Sequence, residues 1–581
     1  MSTDEGTRGR GMALLAPALI FIIALVLVPV ALLLFASLNG PAGFSYSAFA
    51  RLVNVPIYSQ VMGNSAMLSA AAASLSVLAA FPIAVAISRA TGGWRQVLWI
   101  GVLLPFWTSF LVRTFAWIVI LGRSGLVNNV LMSVGITSEP LELLYTNLSV
   151  IVGLVHVLLP LAILTMLPVI EAMDRRLMPA ASTLGARPGT SFFVVYFPLC
   201  AAGCTAAWLT TFVSALGFFI TPALLGSPKQ TMVAQIIIQQ VQEMMDWGLA
   251  AALALVTLVA TLGVYWVYDK MVGLSSLAGE ATKSAGGTLS RVRDFKQAVL
   301  WNLGRVTDAV LRLIPGRSSD ASSGSVPWVA LALVALMVAP VLILIPASFT
   351  TSAFIDWPPQ GFSTRWYEDI FQSPVWGSAF WRSLGVGATA ALIASVIGIP
   401  AAFAFAHQRL PVRSLLLGLV LAPVILPRII IALGLFYVLS RVNLVGSSLA
   451  LAVGHAALAL PYVVITVTAT LKSYDRRLDA AASVLGARTA SRLSRVTLPI
   501  IMPGIVSAVI FAFATSFDDL TLSLFVSGGL FTTLPKQMWD DALLKVSPSL
   551  AAVSVLLFAG VLVVMGAAYL ARAAMRKRRF A

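Results

Sequence analysis

Long apolar runs with few or no charges alternate with short polar connections along most of this chain. The first extends from Met12 to Leu38 without a charge, and others cover 61–87, 97–121, 148–170, 200–222 and 249–268. The rhythm then repeats at 326–349, 379–406, 413–439, 446–470, 501–527 and 548–571. Each run exceeds the roughly 18 residues that mark a membrane-spanning helix. The pattern therefore predicts an all-α polytopic membrane protein with about twelve transmembrane helices. The first run is too long for the apolar core of a cleaved signal, which makes it an uncleaved span.

Two polar connections are copies of each other. Asp174-Arg-Arg-Leu-Met-Pro-Ala180-Ala181-Ser-Thr-Leu-Gly185-Ala-Arg187 continues to Pro198. Asp475-Arg-Arg-Leu-Asp-Ala-Ala481-Ala482-Ser-Val-Leu-Gly486-Ala-Arg488 continues to Pro499. The offset is 301 without a gap, and 13 of the 26 positions from Asp174 to Leu199 are identical. Such repetition divides the chain into a first half, 1–270, with its loop at 171–199, and a second half, 326–581, with its loop at 472–500. Residues 271–325 form the linker. Each loop predicts a short helix with a small apolar face, followed by a glycine suited to a sharp turn or to close approach of another surface. A proline then opens the next span. This suits docking in a partner's groove; an ordinary interfacial elbow is the plainer alternative.

Charge sets the orientation. Only 10% of residues are charged, yet the balance is +16. With the N-terminus inside, 28 of the 38 Lys and Arg fall in cytoplasmic segments: both loops, the linker, and the stretches around Arg8, Arg89, Arg409 and Arg572–Arg579. That bias predicts cytoplasmic N- and C-termini and accounts for the basic charge without nucleic acid. Six spans separate the loops, so both face the cytoplasm and the two six-helix repeats are parallel. In the linker, Val292, Phe295, Val299, Leu303, Val306, Val310 and Leu313 recur at helical spacing. This predicts an amphipathic helix on the anionic leaflet.

Candidate chemistry is sparse. Cys200 and Cys204 lie one helical turn apart in an apolar run and predict plain packing. His156, His407 and His455 are scattered singly, without metal-ligand spacing, and predict structural roles. The chain has no Gly-x-x-x-x-Gly-Lys-Ser/Thr phosphate loop, so no cofactor is expected in it and any ATP hydrolysis would belong to a separate subunit. An ion channel would need like groups repeated by symmetry, and the intramembrane polar residues are not symmetric.

The repeated loop resembles the cytoplasmic EAA loop of bacterial ABC importer permeases. Ala180, Ala181, Gly185, Val195 and Pro198 match its spacing, as do Ala481, Ala482, Gly486, Val496, Leu498 and Pro499. The leading Glu is replaced by Pro179 and Ala480, and Phe197 stands for the Leu. The segments 105–117 and 220–226 are similar to one permease of spermidine/putrescine-type importers, and 516–523 with 532–535 to the other. The resemblance implies two fused permeases with a type I importer fold in a bacterial inner membrane. It also implies two ATP-binding ABC subunits on the coupling loops and an external solute-binding protein, with one chain acting as a pseudo-dimer. Fused permeases of ferric-iron and thiamine importers keep the solute open.

One asymmetry bears on the solute. Asp518 and Asp519 fall in the eleventh run, about 15 residues or roughly 22 Å from its cytoplasmic end. Their counterparts in the first half are Gly217 and Phe218. An intramembrane acid is costly and faces a cavity or a partner; Arg113 and Arg428 are the available cations. Trp107, Trp117 and Phe517 are expected to cover the methylenes or ammonium groups of a polyamine, or else to pack.

Overall fold

Lipid offers no partners for peptide N–H and C=O groups, so each apolar run closes its own hydrogen bonds as a helix. The computed structural model describes residues 2–40, 43–174, 176–272, 300–309, 325–408, 410–528, 531–545 and 547–580. In the first half these helices are α1 (Gly11–Ala36), α2 (Pro56–Arg89), α3 (Gly92–Trp107), α4 (Phe110–Leu121), α5 (Asn147–Glu171), α6 (Leu177–Thr183), α7 (Pro188–Leu216), α8 (Ile220–Leu225) and α9 (Trp247–Lys270). The linker contributes α10, over 300–309. The second half adds α11 (Trp328–Ser348), α12 (Pro374–His407), α13 (Arg413–Ile425), α14 (Arg428–Arg441) and α15 (Ser448–Ser473). After these come α16 (Arg477–Val484), α17 (Thr489–Phe517), α18 (Thr521–Val526) and α19 (Pro548–Gly566). Eleven helices among the described residues are long and apolar enough to cross a membrane, or twelve if α13 and α14 count as one bent span.

Four expected spans are not single helices. The run 97–121 breaks between α3 and α4, where Thr108 and Ser109 are extended and the Ser109 hydroxyl accepts the N–H of Leu111. The run 413–439 breaks between α13 and α14, which meet at 91°. Pro427 forces Leu426 out of helical geometry there, to ψ 139°. The runs 200–222 and 501–527 end early, at Leu216 and Phe517, and resume as the short helices α8 and α18. Hydropathy averaged along a run does not register these breaks, because each is only two or three residues long.

The chain forms two compact units that cross the sequence halves. One comprises Met1–Ser59, Val233–Leu258 and Thr364–Leu550; the other comprises Gln60–Met232, Val259–Ser363 and Ala551–Ala581. In the first unit α1 packs with second-half helices. Phe21 lies against a core of small residues that includes Ala390, Ala394, Ala459 and Ala508, which let the helices approach closely. Gly434 of α14 passes so near the backbone of α1 that a Cβ there would stand 3.0 Å from the Pro29 carbonyl carbon. In the second unit the corresponding role falls to α11. Its Ala330, Val334 and Met337 join Ile83, Ile87, Val102, Ile163 and Met166 in one core.

Of the linker, 300–309 is described; Val292, Phe295, Val299, Val310 and Leu313 of the expected apolar face lie outside the described residues. Within α10 the buried positions are Leu300, Gly304 and Asp308, while Leu303 and Val306 are exposed. The face turned to the protein is therefore not the face marked by apolar spacing. Leu303 and Val306 are left where a leaflet could take them.

Candidate functional sites: two coupling loops and a buried acid

The loops are built alike. In the first, the Asp174 carboxylate accepts the N–H of Arg176 at 2.9 Å and starts α6. In the second, Asp475 does the same for Arg477, also at 2.9 Å, and starts α16. Each short helix ends in a glycine-centred turn. Gly185 N–H donates to Ser182 O and Ala186 N–H to Ala181 O, both at 3.0 Å. Gly486 to Ser483 and Ala487 to Ala482 repeat this at the same distances. The turn needs left-handed backbone, and Gly185 has φ +83° and Gly486 φ +81°. Of the two readings of these glycines, turn or close approach, the chain itself accounts for the turn; nothing lies within 4 Å of a Cβ at either position.

Neither α6 nor α16 contains a buried residue. Ala180 and Ala481 are exposed, and Ala181 and Ala482 half-buried. At the tips Leu184 is 89% exposed and its counterpart Leu485 is 86% exposed. Both leucines stand on the open surface beside the glycine turn. The expected start of the next span at Pro198 or Pro499 is too late, because α7 begins at Pro188 and α17 at Thr489. A π-helical turn precedes each proline, with Phe197 N–H bonding Phe192 O and Leu498 N–H bonding Leu493 O. The wider turn lets a helix run on through a residue that has no N–H to give.

The two acids do not lie inside a spanning helix as expected. They occupy the break between α17 and α18, where the backbone N–H of Asp518 bonds Ala514 O and that of Asp519 bonds Ser516 O. Gly217 ends α7 with the same backbone, φ −89° and ψ 4° against −93° and 0° at Asp518. The break is common to both halves; the charge is not. Asp519 is 2% exposed, and its Oδ2 accepts the N–H of Leu522 at 2.8 Å, capping α18. Its Oδ1 lies 3.9 Å from Nη1 of Arg428, whose side chain is 38% exposed. His455 completes the cluster, with Nε2 3.5 Å from Asp519 Oδ2 and Nδ1 2.7 Å from Ser516 Oγ. His455 is thus not the isolated structural histidine its sequence position suggests. Asp518 is only half-buried and also acts electrostatically on Arg428. The cluster thus gathers two carboxylates, one guanidinium and one imidazole.

The remaining expected residues pack within their own units. Phe517 stacks on Phe513 at 5.5 Å in the unit of the acids. Trp107 meets Phe106 edge-on at 6.0 Å, and Trp117 meets His156 at 5.7 Å, both in the other unit. Arg113 is 1% exposed there, donating to Val157 O at 2.8 Å and lying over Phe110. A cleft of about 720 Å³ opens at the far end of α14, lined by Trp247, Phe436, Tyr437, Gln242, Asn39 and Arg441 among others. Hydropathy hides these aromatics. The Arg441 guanidinium covers the Tyr437 ring at 4.3 Å, so the cleft already holds a cation of its own.

Comparison with known proteins places the fold in a family. The model described as binding-protein-dependent transport system inner membrane component matches residues 394–577. The spermidine/putrescine transport system permease protein PotB of Haemophilus influenzae is 36% identical over 267 residues, which span 44% of this chain and 93% of that relative. The chain belongs to the family of binding-protein-dependent inner-membrane permeases. PotC of Escherichia coli K12, a spermidine/putrescine permease by name, is 31% identical to this permease over 227 residues, 39% of this chain and 85% of the relative. Each relative is nearly spanned yet fills about two fifths of the permease, which therefore carries two permease units in one polypeptide. A crystal structure of a bacterial ABC transporter that imports alginate is 20% identical over 45% of the permease and 93% of its own chain, with a TM-score of 0.37. The permease is a multi-pass membrane protein and a membrane component of a binding-protein-dependent transport system.

Proposed function

We propose that the permease moves a polyamine of the spermidine/putrescine class inward by alternating access, receiving it from an extracytoplasmic binding protein. The observation that carries the solute is the name shared by its relatives, PotB and PotC. The acid cluster is compatible with it. A protonated polyamine is a flexible chain of ammonium groups, and carboxylates at a membrane break attract it more strongly than the same groups in water. Asp519 is held by Arg428, His455 and the start of α18, so Asp518, half-buried beside it, is assigned the contact with solute. Phe517, Trp107 and Trp117 are assigned to the methylenes along the path.

Energy comes, in this reading, from two ATP-binding subunits seated on the exposed helices α6 and α16, with Leu184 and Leu485 as the apolar knobs. Both loops, the linker and both termini then face the cytoplasm. The test is Asp518→Asn, which keeps volume and hydrogen bonding but removes the charge. Uptake of labelled spermidine or putrescine by cells falls at least about tenfold, equivalent to roughly 1.4 kcal/mol. The amount of permease in the membrane is unchanged. Wild-type uptake in a well-expressed variant refutes the assignment of Asp518.

A further inference from the structure

The two coupling loops share their sequence pattern but are not held alike. The helix that follows the first loop, α7, begins at Pro188, and its first N–H groups have no partner within the helix. Asp308 of the linker supplies one. Its Oδ1 accepts the N–H of Gly189 at 2.6 Å, while its Oδ2 accepts the N–H of Thr190 at 3.0 Å and the Thr190 hydroxyl at 2.6 Å. The carboxylate is only 6% exposed. The fit is close on both sides of the contact. A Cβ at Gly189 would lie 2.7 Å from Asp308 Oδ1 and 2.8 Å from the Gly304 carbonyl oxygen; one at Gly304 would lie 2.9 Å from Thr190 Cα. Two glycines therefore let α10 lie directly on the backbone that leaves the loop.

Among the described residues the second loop has no counterpart of this contact. At the 301 offset, Ala490 stands for Gly189 and Ser491 for Thr190. Ala490 is exposed. Among the described residues no carboxylate bonds the N–H of Ala490 or Ser491. That loop is tied by its own side chains instead, with the Thr497 hydroxyl donating to Asp479 at 2.9 Å and Arg492 donating to Thr489 and Ser483.

We propose that α10 is a built-in brace for the first coupling loop, with Asp308 as the positioning residue. The loops then differ in rigidity before any partner binds. Loop and α7 move as one piece in the first half, whereas the second loop is ordered by its own contacts and by what docks on it. The consequence for coupling rests on the ATPase reading above; the brace itself does not.

Hydrogen exchange on the purified full chain without partners separates the two. Asp308→Ala and Gly189→Ala, which attack the contact from opposite sides, each speed exchange in 186–196 about tenfold, and Asp308→Asn by less because its amide oxygen still accepts one N–H. Exchange in 487–497 stays at the wild-type rate. Unchanged exchange in 186–196 in both alanine variants overturns the brace, as does equal acceleration in both loops, which would be general loosening. With the cognate ATP-binding subunit co-expressed, Asp308→Ala lowers binding-protein-stimulated ATP hydrolysis severalfold, while Ala490→Gly does not. Faster exchange with full stimulation refutes the role in coupling. A wild-type complex without stimulated hydrolysis would refute the ATPase reading and leave the exchange result standing.

Discussion

Replacing Gly185 and Gly486 with residues of different size tests whether the loop tips meet a partner. Both glycines are left-handed, at φ +83° and +81°, and open space surrounds the place a Cβ would take. Inside the chain a substitution therefore costs backbone strain and no clash. That strain is about 1–2 kcal/mol for an ordinary L-residue and less for asparagine, which visits this conformation readily. Asparagine should then reduce coupled transport by no more than about fivefold, the equivalent of roughly 1 kcal/mol. Leucine adds bulk where a docked groove would lie, and overpacking costs about 1–3 kcal/mol more. Its total of at least about 2 kcal/mol corresponds to roughly a thirtyfold loss of coupled transport. The assay is solute-stimulated ATP hydrolysis and uptake in proteoliposomes, with the amount of reconstituted permease measured alongside. Equal losses for asparagine and leucine at both positions would show that the tips feel only their own backbone, and the docking argument would fail.

Two further predictions follow from the cluster and from the charge pattern. Asp519→Asn destabilises the permease in a detergent melting assay by about 2 kcal/mol, below the roughly 3–5 kcal/mol of a fully buried pair because the Arg428 side chain is 38% exposed. Adding Arg428→Gln restores the melting temperature without restoring uptake; an Asp519→Asn variant that melts like wild type refutes the pairing. Reporters fused after Gly316 and after Arg579 read as cytoplasmic and one near Pro374 as external, following the Lys and Arg bias. An external signal at Gly316 would break the parallel-repeat argument.

The features legible in the sequence are those that repeat or that lipid enforces. The spans followed from run length, and the loops from the 301 offset, down to glycines that both prove left-handed. The breaks at Thr108–Ser109 and Asp518–Leu520 were not legible, since two polar residues within a long apolar run are as compatible with an unbroken span as with a broken one. Pro427 was the one signal for the sharpest bend and was outweighed by the hydropathy around it. His455 read as isolated because its partners, Ser516 and Asp519, are 61 and 64 positions away and only packing of α15 against α17 brings them together. The linker misled in a different way. Apolar spacing picked out Leu303 and Val306, but α10 meets the protein through Gly304 and Asp308, residues chosen for closeness and capping instead of hydropathy.

The two halves agree in backbone and disagree in charge, and physical cost explains the division. Left-handed turns, helix breaks and π-helical turns before proline are conformational solutions that any coupled pair of spans can share, and each appears in both halves. Charges inside the membrane cost several kcal/mol unless paired, so duplicating an acid would require duplicating its partners as well. The first half places Gly217 and Phe218 where the second has Asp518 and Asp519, and its buried Arg113 is taken up by a carbonyl and a ring. The repeated loops show the reverse, with an acid from the linker on the first and, among the described residues, none at the matching place on the second. In this chain the half that holds Asp518 and Asp519 is also the half whose loop has no linker contact among the described residues, and α17 runs from that loop to Asp518.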